Sequence, residues 1–108
     1  MGKRSQRKGR SGEIELAKIL TECGFQMVLG NPMTFGKEPD IRGLPGIHIE
    51  VKRVERLNVS SAMKQATRDS ERFDDGMPTV FHRKNREGWL VTMRLDDFLT
   101  MYKTGKGE

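Results

Sequence analysis

Residues 39–52, Pro39-Asp40-Ile41-Arg42-Gly43-Leu44-Pro45-Gly46-Ile47-His48-Ile49-Glu50-Val51-Lys52, decide how the chain is read. Two short apolar-rich arms flank a Gly/Pro turn, which predicts strand, turn, strand. Side chains two apart on a strand share a face. Glu50 and Lys52 therefore project to one side, with His48, while Ile47, Ile49 and Val51 project to the other. A symmetric hairpin about Leu44 and Pro45 would set Asp40 opposite Ile49, on the apolar side. For Asp40 to join Glu50, the register must shift by one through an odd-length loop or a bulge. With that shift, two carboxylates and an amine meet on one apolar-backed face. Carboxylate oxygens of this kind suit a hard divalent cation such as Mg²⁺.

The helix before this stretch supplies a third carboxylate. Ser11 is a suitable N-cap, and Leu16, Ile19, Leu20 and Cys23 recur at helical spacing, so a helix is expected over 12–23. Gly24 closes it. At about 100° per residue, and with Ala17 in the apolar stripe, Glu13 lies roughly 50° from the stripe's centre and Glu15 roughly 110°. Glu13 leans inward, Glu15 belongs to the flank, and Ile14 points outward.

Further elements follow from pattern and turn chemistry. Residues 25–29 read as a first strand, and 30–38 as a loop marked by Asn31-Pro32. A second helix starts near Ser60 or Ser61, with a weak stripe of Ala62, Ala66 and Phe73. Lys64, Arg68 and Arg72 lie on its exposed side. Asp74-Asp75-Gly76 is a turn, 78–82 and 89–93 are strands, and 95–102 is a last helix. The expected order is α-β-β-β-α-β-β-α, an α/β domain with a central mixed sheet flanked by helices.

Composition narrows the function. The 108 residues suffice for one domain. No apolar run reaches the roughly 20 residues of a membrane helix, and no apolar segment follows the basic N-terminus as in a secretory signal. Cys23 is the only cysteine, so no internal disulfide forms. The net charge is +5, and Lys3, Arg4, Arg7, Lys8 and Arg10 carry the excess, because the remainder is balanced. Such a run at residues 1–10 favours a polyanion partner, with phosphate contacts supplying sequence-independent affinity. Arg53, Lys64 and Arg68 extend this candidate nucleic-acid surface. The domain proper is expected over 11–102, with a fraying tail at 103–108.

The chemistry expected of Glu13, Asp40, Glu50 and Lys52 is metal-assisted phosphodiester hydrolysis. The three acids would hold one or two cations, and Lys52 would position water or stabilise charge developing on the phosphorane. Gln65, on the following helix, is placed to fix a water or phosphate oxygen near Lys52. His48 could touch DNA from the Glu50 face, although a lone histidine is more often structural; His82 is read as structural, the methionines as core filler, and Trp89 as core.

These residues resemble the PD-(D/E)XK nuclease superfamily, and within it the archaeal-type Holliday junction resolvases. Lys8-Gly9 followed by Glu13 resembles the family's opening, Gly24-Phe25 its first-strand entry, Pro39-Asp40 its PD element, and Glu50-Val51-Lys52 its Glu-X-Lys element. Gly76-Met77-Pro78 and Gly88-Trp89 resemble its fourth and fifth strands, so the likeness spans about 8–98. The resemblance implies a restriction-endonuclease-like fold and a Mg²⁺- or Mn²⁺-dependent endonuclease. It also implies a homodimer acting on branched DNA such as a four-way junction, in a prokaryotic or phage-infected cytoplasm. Gln65 resembles the glutamine of stand-alone VRR-NUC nucleases. The chain departs from the resolvase pattern in its longer loop at 30–38, which offers only Asn31 and Thr34 as polar substitutes for the serine that resolvases carry, and in its second helix. The rival readings are a non-catalytic DNA-binding module on the same fold, and a nuclease of this fold acting on flaps, nicked duplex or RNA.

Overall fold

The computed structural model describes residues 2–34 and 36–105, with side chains described from residue 10 onward. Helix α1 spans Gly2–Glu22. It begins ten residues before the expected start, and Ser11 lies inside it rather than capping it. The reason is local. Lys, Arg and Gln between residues 3 and 10 are good helix formers, no proline interrupts, and Gly9 costs only about 1 kcal/mol. The side chains of Lys3, Arg4, Arg7 and Lys8 lie outside the described residues. Gly24 ends the helix as expected, with φ +103° and its N–H donating to the Thr21 carbonyl.

Among the described residues, five strands form two sheets. Strands β1 (Val28–Leu29) and β2 (Ile41–Arg42) pair antiparallel, Val28 with Arg42 and Leu29 with Ile41. Strands β3 (Ile47–Arg53), β4 (Met77–Arg83) and β5 (Leu90–Met93) form a mixed sheet in the order β3-β4-β5. β3 and β4 run parallel from Ile47↔Met77 to Arg53↔Arg83, and β4 and β5 run antiparallel. The expected element order holds. The expected hairpin does not: β2 takes β1 as its partner, so neither an odd-length hairpin loop nor a bulge sets Asp40 against Glu50. The parallel pair opens at a backbone contact. Met77 N–H donates to the Gly46 carbonyl at 2.8 Å. A Cβ on Gly76, whose φ is +126°, would stand 2.3 Å from the Gly46 carbonyl carbon.

Helix α2 (Val59–Phe73) connects β3 to β4. Asn58 caps it, its side chain accepting from Ser61 N–H at 3.0 Å. The two helices cover opposite faces of the mixed sheet. Leu16 and Ala17 of α1 pack with Ile41, Ile49 and Phe81. Ala62 and Ala66 of α2 pack with Val80. Consecutive residues Val80 and Phe81 thus serve opposite faces, as strand alternation requires. Ser70 is buried on α2 where Phe73 was expected. On α1 the buried stripe turns toward Ala17, leaving Ile19 and Cys23 exposed. A short 3₁₀ turn spans Pro32–Thr34, and α3 (Leu95–Gly105) continues past the expected end at Tyr102. No described helix is long and apolar enough to cross a membrane.

Candidate active site

Strand alternation decides what β3 presents. Ile49 and Val51 pack toward α1, so His48, Glu50 and Lys52 face α2. Gln65 on α2 meets this face, accepting a hydrogen bond from Lys52 Nζ at 2.7 Å. That bond orders the amine beside Glu50's strand without neutralising it.

Asp40 reaches the same place from the other sheet. It precedes β2, and its carbonyl accepts from Gly30 N–H at 2.8 Å. A Cβ on Gly30 would lie 2.3 Å from the Pro39 carbonyl oxygen, so only glycine permits this approach. Asp40, His48, Glu50 and Asp69 line one small cleft, together with Gly36, Arg72 and Phe73. Asp40 and Glu50 therefore share a cleft although they share no hairpin.

Glu13 completes the cluster's other end. Gly12 lets α1 settle onto β3, since a Cβ there would stand 3.1 Å from Arg53 Cβ. The Glu13 side chain, 13% exposed, hydrogen-bonds Asp40 and approaches Arg10 Nη1 at 3.6 Å. Burial first, and the Asp40 charge second, push its pKa up to about 7, against the smaller pull of Arg10. Arg10 also donates to the Gly30 carbonyl at 2.9 Å, tying α1 to the loop that carries Asp40.

Glu50 is buried, which raises its pKa, and Asp69 raises it further while the His48 hydrogen bond lowers it. His48 Nε2 lies 3.1 Å from Glu50 Oε1, and His48 Nδ1 lies 2.9 Å from both Asp75 oxygens. Burial works against the imidazolium, yet the bonds to Glu50 and Asp75 outweigh it, and the ring's pKa lies above its ordinary value. Among the described residues, the three-donor group whose ligand atoms fall within 4.8 Å of one another is His48, Glu50 and Asp69. Glu13, Asp40 and Glu50 do not form such a group. The acids thus divide into Glu13 with Asp40, and Glu50 with Asp69.

Other side chains named from sequence take different places. Arg53 turns under α1, its Nε 3.6 Å from Glu15 Oε2. Lys64 and Arg68 are exposed on α2, beside Arg94, and line a shallow groove with Met63, Thr67 and Met93. His82 pairs with Thr92 Oγ1 at 2.8 Å, and burial lowers its pKa. Trp89 precedes β5, packs partly against the core, and donates to Glu15.

Two residues of the cleft, Asp69 and Arg72, and one behind His48, Asp75, escaped sequence reasoning. Asp69 lies four residues after Gln65, so the two share a helix face, and that spacing was the available signal. Arg72 donates to the Gly36 carbonyl and lies 4.9 Å from the Phe73 ring centroid. Asp75 meets His48 only through the β3–β4 register, for which local sequence carries no signal.

No family model matches the chain, and no curated protein matches it in sequence. Among solved structures it is similar to Archaeoglobus fulgidus Hjc, a Holliday junction resolvase from an archaeal hyperthermophile. The two share 23% identity over 80% of this chain and 72% of that one, with a TM-score of 0.58. At that identity the likeness concerns the fold, which is restriction-endonuclease-like: a central mixed sheet flanked by helices.

Proposed function

We propose that the protein is a metal-dependent endonuclease of the PD-(D/E)XK type that hydrolyses DNA phosphodiester bonds, with selectivity for branched DNA. The observation that carries this reading is that Asp40 and Glu50 line one cleft, with Glu13 against Asp40 and the Lys52–Gln65 pair on the same face of β3 as Glu50. The donor set fits Mg²⁺ or Mn²⁺. Oxygen ligands dominate it, and Glu13 and Asp40 crowd two carboxyls together at a cost that a divalent cation relieves. Glu13 with Asp40 at one end of the site, and Glu50 at the other, would hold one or two such cations. A bound cation would polarise the scissile phosphate and lower the pKa of a water beside it.

The remaining work belongs to the chain's own groups. Lys52 stabilises negative charge on the phosphorane, and Gln65 aims the amine. Arg72 at the cleft rim, with Lys64, Arg68 and the basic residues of α1, contacts phosphates. The resemblance of Lys8–Gly9–Glu13, Pro39–Asp40 and Glu50–Lys52 to the resolvase motifs supports branched DNA as substrate, as does the fold. We also propose a homodimer. α3 buries none of its residues and leaves Leu95, Phe98, Leu99 and Met101 exposed, an apolar helix surface suited to a second copy.

The test is cleavage of a labelled four-way junction beside linear duplex and single strand, with Mg²⁺ and with EDTA. Paired, metal-dependent cuts confined to the junction are expected. Equal cutting of all substrates removes the junction selectivity and keeps the nuclease. Salt-sensitive binding without any cutting replaces it with a DNA-binding module.

A further inference from the structure

We infer that His48, Glu50 and Asp69 form a mixed nitrogen–oxygen site for a first-row transition ion such as Mn²⁺, distinct from the all-carboxylate end at Glu13 and Asp40. The inference rests on the nuclease reading only for the ion's task, not for its binding. The donors are already assembled, with one atom from each residue within 4.8 Å of the others. The 3.1 Å between His48 Nε2 and Glu50 Oε1 suits two adjacent ligands of a single ion. Neighbouring donors at about 2.1 Å from an octahedral metal stand about 3 Å apart.

A second observation lies outside the three ligands. Both Asp75 oxygens stand 2.9 Å from His48 Nδ1. That contact makes Nδ1 a donor and turns Nε2 toward Glu50, so that a metal replacing the Nε2 proton would meet the lone pair there. Ligating histidines ordinarily carry a carboxylate on the second nitrogen in this way. Phe73 stacks against the imidazole at 6.4 Å and 17°, fixing the ring plane. An Nε2 lone pair facing a carboxylate oxygen at 3.1 Å is stable only with a cation between them, either a proton or a metal. Imidazole in the donor set favours a transition ion over Mg²⁺, and the two carboxylates beside it suit Mn²⁺.

Mn²⁺ itself is the probe, bound to the full-length protein without DNA. Pulsed electron paramagnetic resonance is expected to detect hyperfine coupling to an imidazole nitrogen, and His48→Gln should abolish it. Asp69→Asn, which keeps the buried histidine, should weaken Mn²⁺ binding about 10- to 100-fold by calorimetry. Asp75→Asn should retain the nitrogen signal with weaker binding, and Asp40→Asn should retain it outright. Circular dichroism melts establish that each variant is folded; if His48→Gln is not, Asp69→Asn and Asp75→Asn decide. A folded wild type whose bound Mn²⁺ shows oxygen coupling alone overturns the site, as does an Asp69→Asn variant of unchanged affinity. A nitrogen signal in a protein that cuts no DNA keeps this site and discards the nuclease. Mg²⁺-dependent cutting without a nitrogen signal does the reverse.

Discussion

Glu13 and Glu15 stand two residues apart on one helix and have opposite fates. Glu15 accepts Arg83 Nε at 2.6 Å, Arg83 Nη2 at 3.1 Å and Trp89 Nε1 at 2.9 Å, and the Arg83 bond leads in holding its carboxyl below the usual range. Glu13 meets a second acid, is half-buried, and sits near pH 7. The Glu15 region is built so that its charge stabilises the fold. The Glu13 region holds a charge that the unliganded fold disfavours, which is characteristic of positions kept for chemistry. The same helix therefore fastens one end of the sheet and loads the other.

This contrast can be broken from either side. The largest effect is expected from Asp40→Asn, which removes ligand charge with little change of shape. Single-turnover cleavage should fall about 10²–10³-fold or more while DNA binding, read by gel shift, persists. Normal cutting by this variant would overturn the mechanism.

Glu15→Gln comes next. It should lower the unfolding free energy by on the order of 2 kcal/mol in urea titrations, since charge-assisted bonds to Arg83 and the Arg53 ion pair are lost from a partly exposed site. The pH dependence has a definite sign. A depressed folded pKa gives stability that is present above about pH 4.5 and lost as pH falls through the folded value. The wild type should therefore lose its advantage over Glu15→Gln in acid.

Glu13→Gln should move stability the other way. A folded pKa raised from 4.5 to about 7 gives stability that is complete below pH 4.5 and lost as pH rises through 7. Asp40 and Arg10 are the charged groups facing this carboxyl. Metal-free Glu13→Gln is thus expected to exceed wild type at pH 8 by about 1 kcal/mol, while cutting DNA poorly. Equal stability of the two proteins across pH 5–8 would show that Glu13 bears no such load. The smallest effect belongs to Gln65→Ala, which frees Lys52 without removing it. A loss of a few-fold to about 10-fold in single-turnover rate is expected, without change in DNA affinity. A loss as large as that of Asp40→Asn would make Gln65 more than an orienting group.

How far sequence reached follows the same division. Helical angle separated Glu13 from Glu15, and strand alternation placed His48, Glu50 and Lys52 on one face, because both depend on local period alone. Gly43, Pro45 and Gly46 carry strong turn chemistry, which says that the chain reverses but not which strand becomes the partner. The hairpin therefore failed where β2 joined β1. Ser11 read as an N-cap, yet a run of good helix formers continued through it, and Gly12 proved to serve close packing on β3. Asp75 meets His48, and Arg72 meets the Gly36 carbonyl, only through tertiary contact across 27 and 36 residues, which no short window of sequence spans.

The bond from Gly30 N–H to the Asp40 carbonyl also says how this chain can change. It pins the two ends of the 31–39 segment together, with Glu38 Oε1 accepting from Asn31 N–H at 2.6 Å just inside the knot. A loop tied at its neck can be lengthened for roughly 0.6 kcal/mol per doubling, and the carboxylate at its foot stays where it is. On the nuclease reading proposed above, that loop is where length can vary from one descendant to the next while Asp40 keeps its place.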